Sequence, residues 1–362
     1  SFGFGAVIHV PDDWATIQAG IDAAMEGDTV LVDEGVYSPS TNSEVFPIEM
    51  ASGIHLIGSG EDVSIIDAQQ TDRVITMEDC DNNTISDLTL TGGLADSYGG
   101  GMRLSNSNPI LTNITISDNT ANWGGGMHLS NSDATLRHVT ISNNQSHQGG
   151  GMRVVSSDPI LTNVIISNNT ASESGGIRLF NSDPILTHVS ISNNTADNHG
   201  GGMYLNSSDP TLTNSIIWEN SPESIYLYSD EEPIITYSDI EGDWEGEENI
   251  NSDPFFNEDY TLQEGSPCID AGTADIDGDG VDDMTDYFGA APDMGAFEFY
   301  IAATGLQYTV DNSSVIFNWD PLENVQYYQL ERSTDPTFVE DVVLNFAMDN
   351  SYTDSGLEWD TE

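Results

Sequence analysis

Short runs of alternating apolar and polar residues dominate the chain, and they recur. Met127 with Leu129, and Val139 with Ile141, lie on one side of such runs, which are separated by clusters of Ser, Asn, Asp and Gly. Each unit therefore predicts two or three short strands joined by tight turns. Aligned on the apolar residue after the glycines, the units place Met102, Met127, Met152, Ile177 and Met203 in one series, at intervals of 25, 25, 25 and 26 residues. A unit this short cannot bury its own apolar face, so successive copies must stack. Ile114, Val139, Val164 and Val189 then pile up in a shared interior, and Asn119, Asn144, Asn169, Asn194 and Asn220 form a column whose amides can bond along the stack. The predicted class is all-β, a coil of parallel strands.

The ends of this coil read differently. In "VPDDWATIQAGIDAAMEGDTVLVDEGVY" the spacing of Ile17, Ile21 and Ala24 predicts an amphipathic helix stopped by Gly27. Such a cap covers the first rung, whose unpaired amides would otherwise invite pairing. The rungs lose regularity after Tyr204, and from Thr304 the pattern changes again. The predicted organisation is a cap over 1–40, a coil over 41–240, terminal rungs with an acidic loop over 241–300, and a separate β-domain over 304–362. Trp319, Tyr328, Leu330 and Leu357 are the expected core of that last domain.

With one Asn column and glycine turns, the repeats resemble right-handed parallel β-helix proteins of the pectate lyase-like group, and the "NNTA" and "GGGM" phrases resemble repeats of polymorphic outer-membrane adhesins. "DPFFNEDYTLQEGSPCIDAGT" with "DMGAFEF" resembles the choice-of-anchor Q module of bacterial surface β-helix proteins. "VIFNWDP", "YYQLERSTDPTF" and "SYTDSGLEWDTE" resemble the early strands of a fibronectin type III sandwich. That sandwich usually takes about 100 residues, and 304–362 supplies 59. The chain is accordingly expected to continue past Glu362, or to accept a strand from outside.

Charge narrows the partners. Asp and Glu number 61 against six basic residues, all Arg, for a net charge of −55. A field of that sign repels nucleic acid, anionic lipid and acidic polysaccharide and attracts cations such as calcium. A high-salt habitat accounts for the same surplus without any specific role. Cys80 and Cys268 define no disulfide framework. No apolar run reaches the ~18 residues of a membrane span, and the first ten residues lack a basic leader segment. The resemblances imply a bacterial extracellular or cell-surface location.

Four patterns could carry chemistry. In "DIDGDGVDDMTD", Asp275, Asp277 and Asp279 take the first, third and fifth positions of a calcium loop, with Gly280 at the turn. Val281 would add its carbonyl, Asp283 would act through water, and Asp286 would close the loop, as in dockerin-type loops. Next to the methionine series, Arg103, His128, Arg153, Arg178 and Tyr204 form an outward stripe, able to grip a carboxylate or sulfate or simply to pair with acidic neighbours. Tyr98 and Trp123 precede glycine runs in consecutive rungs and offer a stacking platform for a sugar or serve as loop caps packing on the glycines. Asp133, Asp158, Asp183 and Asp209 recur in the turns, where Asp caps backbone amides or holds loosely bound cations.

Two functions fit. Columns that repeat almost unchanged favour an exported structural or binding protein: an adhesin, a surface-layer component or a filament subunit on a calcium-stapled rod. Self-association would be head-to-tail through rod ends or the incomplete sandwich, with a polysaccharide or cell-surface ligand as the other partner. The alternative, implied by the pectate lyase-like resemblance, is a polysaccharide lyase or glycoside hydrolase acting on the β-helix face. The absence of Lys leaves only an Arg as proton acceptor, with Arg103, Arg153 and Arg178 as candidates, and no hydrolase aspartate set is found.

Overall fold

A computed structural model describes residues 5–285, 287–300, 306–311, 314–320, 328–332, 343–347 and 351–355. The strands wind into a right-handed β-helix of three parallel sheets with fourteen, eight and five strands. Sheet 1 holds the long strands, such as Ile110–Ser117, Thr135–Ser142 and Ile160–Ser167. Sheet 2 holds Met102–Ser105, Met127–Ser130, Met152–Val155, Ile177–Phe180 and Met203–Leu205. Sheet 3 holds Leu94–Tyr98, Thr120–Trp123, Gln145–Gln148 and Thr170–Glu173.

The register is the one the repeat demands. Met102 pairs with Met127, Met127 with Met152, Met152 with Ile177 and Ile177 with Met203, and all are buried. Full burial of each such side chain contributes about 1.5–3 kcal/mol. The long strands contain a feature that alternation does not predict. Asn113, His138, Asn163, His188 and Asn214 all take left-handed φ values between 51° and 54°. That residue resets the alternation, so Leu111 and Ile114, three apart, both point inward. Asn and His tolerate this conformation better than branched residues do.

The asparagine column lies inside. The Asn119 amide donates to Asn144 Oδ1 at 3.1 Å, Asn144 to Asn169 at 3.0 Å, Asn169 to Asn194 at 3.0 Å and Asn194 to Asn220 at 3.0 Å. Each oxygen also accepts the backbone N–H of the preceding Asn, as Asn144 does from Asn119. The buried amides are thus satisfied by their own repeats.

The cap helix spans Ile17–Ala23, with Thr16 Oγ1 accepting the Ala19 N–H at its start. Glu44 accepts the Ile17 and Gln18 N–H groups at 2.8 and 3.2 Å, which satisfies amides that open every helix. Ile17 and Ile21 are buried on the first rungs. The helix ends earlier than expected: Ala24 already has extended backbone, and Gly27, at φ 89°, belongs to the following turn.

Beyond Tyr204 the strands shrink to two or three residues. The chain over 250–299 then folds back as a clasp. Asn214 accepts from the Thr273 N–H and donates to its carbonyl, Gly295 N–H donates to the Asn214 carbonyl, and Ser190 Oγ accepts from Ala296. A second apolar cluster of Ile216, Leu262, Cys268 and Met294 lies beneath it. There Asp239, fully buried, accepts the Cys268 thiol at 3.2 Å and the Ser252 N–H at 3.1 Å. Burial raises the Asp239 carboxyl to about 6 and pushes the Cys268 thiol up.

Contacts divide the chain into one unit of Ser1–Tyr287 with Ala291–Phe299, and a second of Phe288–Ala290 with Tyr300–Glu362. The second contains an antiparallel sheet of three strands, Gln307–Asp311, Ser314–Asn318 and Ser351–Ser355, and a two-stranded pair, Tyr328–Arg332 with Val343–Ala347. Trp319 is buried, Tyr328 and Leu330 lie on the pair, and Leu357 falls outside the described residues. Among the described residues no helix is long and apolar enough to cross a membrane.

Candidate functional site

The glycine turns between sheets 3 and 2 build a corner. In the copy at Gly124 to Gly126, the first glycine takes φ 68°. A Cβ on the second, Gly125, would lie 2.5 Å from the Gly150 carbonyl oxygen of the next rung. The close stacking requires glycine, whereas the turn position also accepts Ser174, at φ 59°; the corner stays narrow and carries a side-chain column on each flank.

On the sheet 3 flank stand Tyr98, Trp123, Gln148 and Glu173, in register, with His199 next in line. On the sheet 2 flank stand Arg103, His128, Arg153, Arg178 and Tyr204. The columns meet across the turn. Tyr98 stacks on Trp123 with centroids 4.9 Å apart and tilts against His128 at 4.6 Å. Glu173 pairs with Arg178 at 2.7 Å and accepts from Gln148 at 3.0 Å. Arg178 also lies over the Tyr204 ring at 4.2 Å.

Two expectations need correction here. The stripe is not freely outward: His128 is 4 % exposed, against the Tyr98 ring, and Tyr204 6 %, between Arg178 and the Tyr226 and Tyr228 rings. Nor are the columns uniform, since five consecutive rungs place different side chains at this corner. Pairing with acidic neighbours accounts for Arg178 alone. Among the described residues Arg103 and Arg153 form no ion pair, and the Arg153 Nε is buried without a partner.

Sequence reading also missed Arg73. It is half-buried just before the strand that pairs with Met102–Ser105, and it is held 4.0 Å from Asp72. Its signal, one Arg before an apolar run outside the 25-residue series, was too weak to find. Four of the six arginines thus share one face. Burial, and then the charge of Arg178, lower the Arg153 guanidinium from its ordinary value. Burial, with Arg153, Arg103 and Arg73 adding to it, pushes His128 down to about 3.

The turn aspartates do cap amides, one rung away. Asp133 accepts the Asp158 N–H, Asp158 that of Asp183, and Asp183 that of Asp209. In the acidic loop, carboxylate oxygens of Asp275, Asp277 and Asp283 lie within 4.8 Å of one another. Asp275 accepts N–H groups of Gly278, Asp279 and Gly280. Asp279 stands outside this trio and accepts the Val281 N–H. Val281 is exposed, and Asp286 is outside the described residues. A set of clustered carboxylate oxygens suits a hard cation.

The profile of the family described as "Right handed beta helix region" matches residues 52–204 and 163–246, more than half of the chain together. No curated protein matches the chain in sequence. Among solved structures, pectate lyase Pel9A is 14% identical over 81% of this chain and 96% of its own, with a TM-score of 0.42. Pectin methylesterase PemA from Erwinia chrysanthemi is 11% identical over 74% and 99%, with a TM-score of 0.42. The A-module of the Azotobacter vinelandii mannuronan C-5 epimerase AlgE4 is 19% identical over 68% and 88%, with a TM-score of 0.37. Likeness at this level assigns no activity.

Proposed function

The chain belongs to the right-handed β-helix family, and on that premise we propose that it binds an acidic polysaccharide along the glycine corner and cleaves it by β-elimination. One observation carries the reading. In a chain of net charge −55, Arg103 and Arg153 stand half-buried on one face with no carboxylate partner among the described residues. An unmatched guanidinium is costly to bury, and the carboxylate of a sugar acid is its natural complement. Tyr98 and Trp123 supply ring faces beside it.

The chemistry follows from that placement. A uronate carboxylate held by guanidinium groups draws charge from the adjacent carbon and makes its proton easier to remove. Arg103 stays charged on the carboxylate, while Arg153 takes that proton in its neutral form, which burial and the charge of Arg178 make more accessible than for a free guanidinium. The electron pair forms a carbon–carbon double bond, the glycosidic carbon–oxygen bond breaks, and the departing oxygen takes a proton from water. One product carries an unsaturated end and the other a new end. Such a substrate places the protein outside the cell or on its surface.

Polygalacturonate, alginate and a neutral glycan, incubated with the protein in calcium, test the reading by ultraviolet absorbance of unsaturated ends. Product from an acidic polymer, abolished in Arg153→Ala, is expected. Moderate salt should help, because screening over about 10 Å at 0.1 M removes the long-range repulsion while leaving contact pairs. Binding without product would assign the corner to adhesion or display, and neither binding nor product would end the proposal.

We also propose that calcium binds the acidic loop through Asp275, Asp277 and Asp283, stapling the clasp. It would supply charge neutralisation there and takes no part in the step above.

A further inference from the structure

Past Arg178 the sheet 2 column continues into aromatic residues outside the 25-residue series. Tyr204 pairs in register with Tyr226. His199 stacks on Tyr226 with centroids 4.2 Å apart and planes 18° apart. Tyr204 tilts against Tyr226 at 5.0 Å and Tyr228 at 6.1 Å. Tyr228 is 60 % exposed and the His199 side chain 53 %. Glu223 fixes the shelf from below: its Oε1 accepts the Gly200 N–H at 2.9 Å and lies 3.5 Å from His199 Nδ1.

Exposed rings held in mutual contact lose little freedom when a flat partner lands on them. The charge pattern states what that partner is. Among the described residues the only cation nearby, Arg178, is already committed to Glu173 and Tyr204, and Glu223 would repel a carboxylate. The shelf therefore suits the ring of a sugar, with its acidic group turned away and a hydroxyl toward Glu223. Resting on the polysaccharide reading above, we propose that Tyr226, Tyr228 and His199 form a second sugar-binding subsite on the same polymer, which lies parallel to the coil axis.

Register gives the reach. His128, Arg153, Arg178, Tyr204 and Tyr226 are successive partners, four steps in all, and four strand spacings are about 19 Å. An extended pyranose is about as long as one such spacing, so a polymer advances close to one sugar per rung. It meets the Tyr98 and Trp123 rings beside His128, guanidinium groups in the middle and rings again at Tyr226.

Oligogalacturonates of graded length, titrated against the full chain at a temperature where turnover is negligible, test this. Affinity should climb until the oligomer reaches from His128 to Tyr226 and then level off. In Tyr226→Ala/Tyr228→Ala, short oligomers should bind as before and long ones about tenfold more weakly, and Tyr226→Phe/Tyr228→Phe should restore them. An unchanged length profile in the Ala pair, with Arg153→Ala still impaired, would overturn the shelf and leave the corner standing. Equal losses for short and long oligomers would also overturn the shelf. No binding at any length would overturn both.

Discussion

The repeated body over 102–203 and the clasp over 250–299 bury polar groups in opposite ways. In the body the inner asparagine and serine columns meet their own copies one rung on, as Asn144 meets Asn169 and the Ser132 N–H meets Ser157 Oγ. At the clasp, buried carboxylates are met by unrelated groups: Asp239, on the strand beneath it, by Ser252 and Cys268, and Asp293, within it, by the N–H groups of Asp270 and Phe299. Register guarantees the first kind of partner. The second kind depends on distant parts of the chain arriving together, and its carboxyls titrate.

The largest break in that contrast is expected from Asn144→Ala. It removes donors and acceptors shared with Asn119, Asn169 and Ile116 and should cost about 3–5 kcal/mol in denaturant unfolding. A loss below about 1 kcal/mol would mean that water replaces the amide and that register is not the protection described.

A pH series separates the regions by sign. Asp239 and Asp293 are raised to about 6 by burial, so the folded clasp takes protons before the unfolded chain does. Their contribution is therefore most favourable in acid and is lost as pH rises through about 6. His128, pushed down to about 3, does the reverse, and stability falls as pH drops below the unfolded value of about 6.5. Asp239→Asn should thus stabilise the protein at pH 8 by on the order of 2–3 kcal/mol and do little at pH 4. His128→Gln should help only in acid. Thermal melts of both variants across pH check this, and parallel profiles would remove the distinction.

The smallest expected effect is calcium's. At a tenfold excess over its dissociation constant, a single ion adds about 1.4 kcal/mol. Chelation should lower the melting temperature and speed protease cleavage within 250–299, leaving the body resistant. An unchanged melt would remove calcium from the loop.

What the sequence shows follows the same division. Met102, Asn119 and Arg153 could be placed because a fixed interval turns position into geometry. Tyr226 lies only 22 residues after its partner Tyr204, so the period no longer points to it, although the coil continues. The Asp239–Cys268 pair spans irregular chain and has no periodic signal at all. The kink at Asn113 was hidden for another reason: alternation assumes one backbone conformation per strand, and a left-handed residue shifts its phase.

The asparagine row also has a sense. From Asn119 to Asn194 each amide nitrogen gives one proton forward to the next Asn and the other back to a carbonyl of the preceding rung, so the side-chain bonds between asparagines all run in one direction, like a queue facing one way. Such a queue needs a last member that turns aside. Asn220 does so: it keeps the backward bond, to the Ile191 carbonyl at 2.8 Å, and turns the other proton to the Trp218 carbonyl at 3.1 Å. The rungs can therefore lose their regularity beyond it without leaving a donor stranded, and any further copy would have to be inserted upstream of this stop.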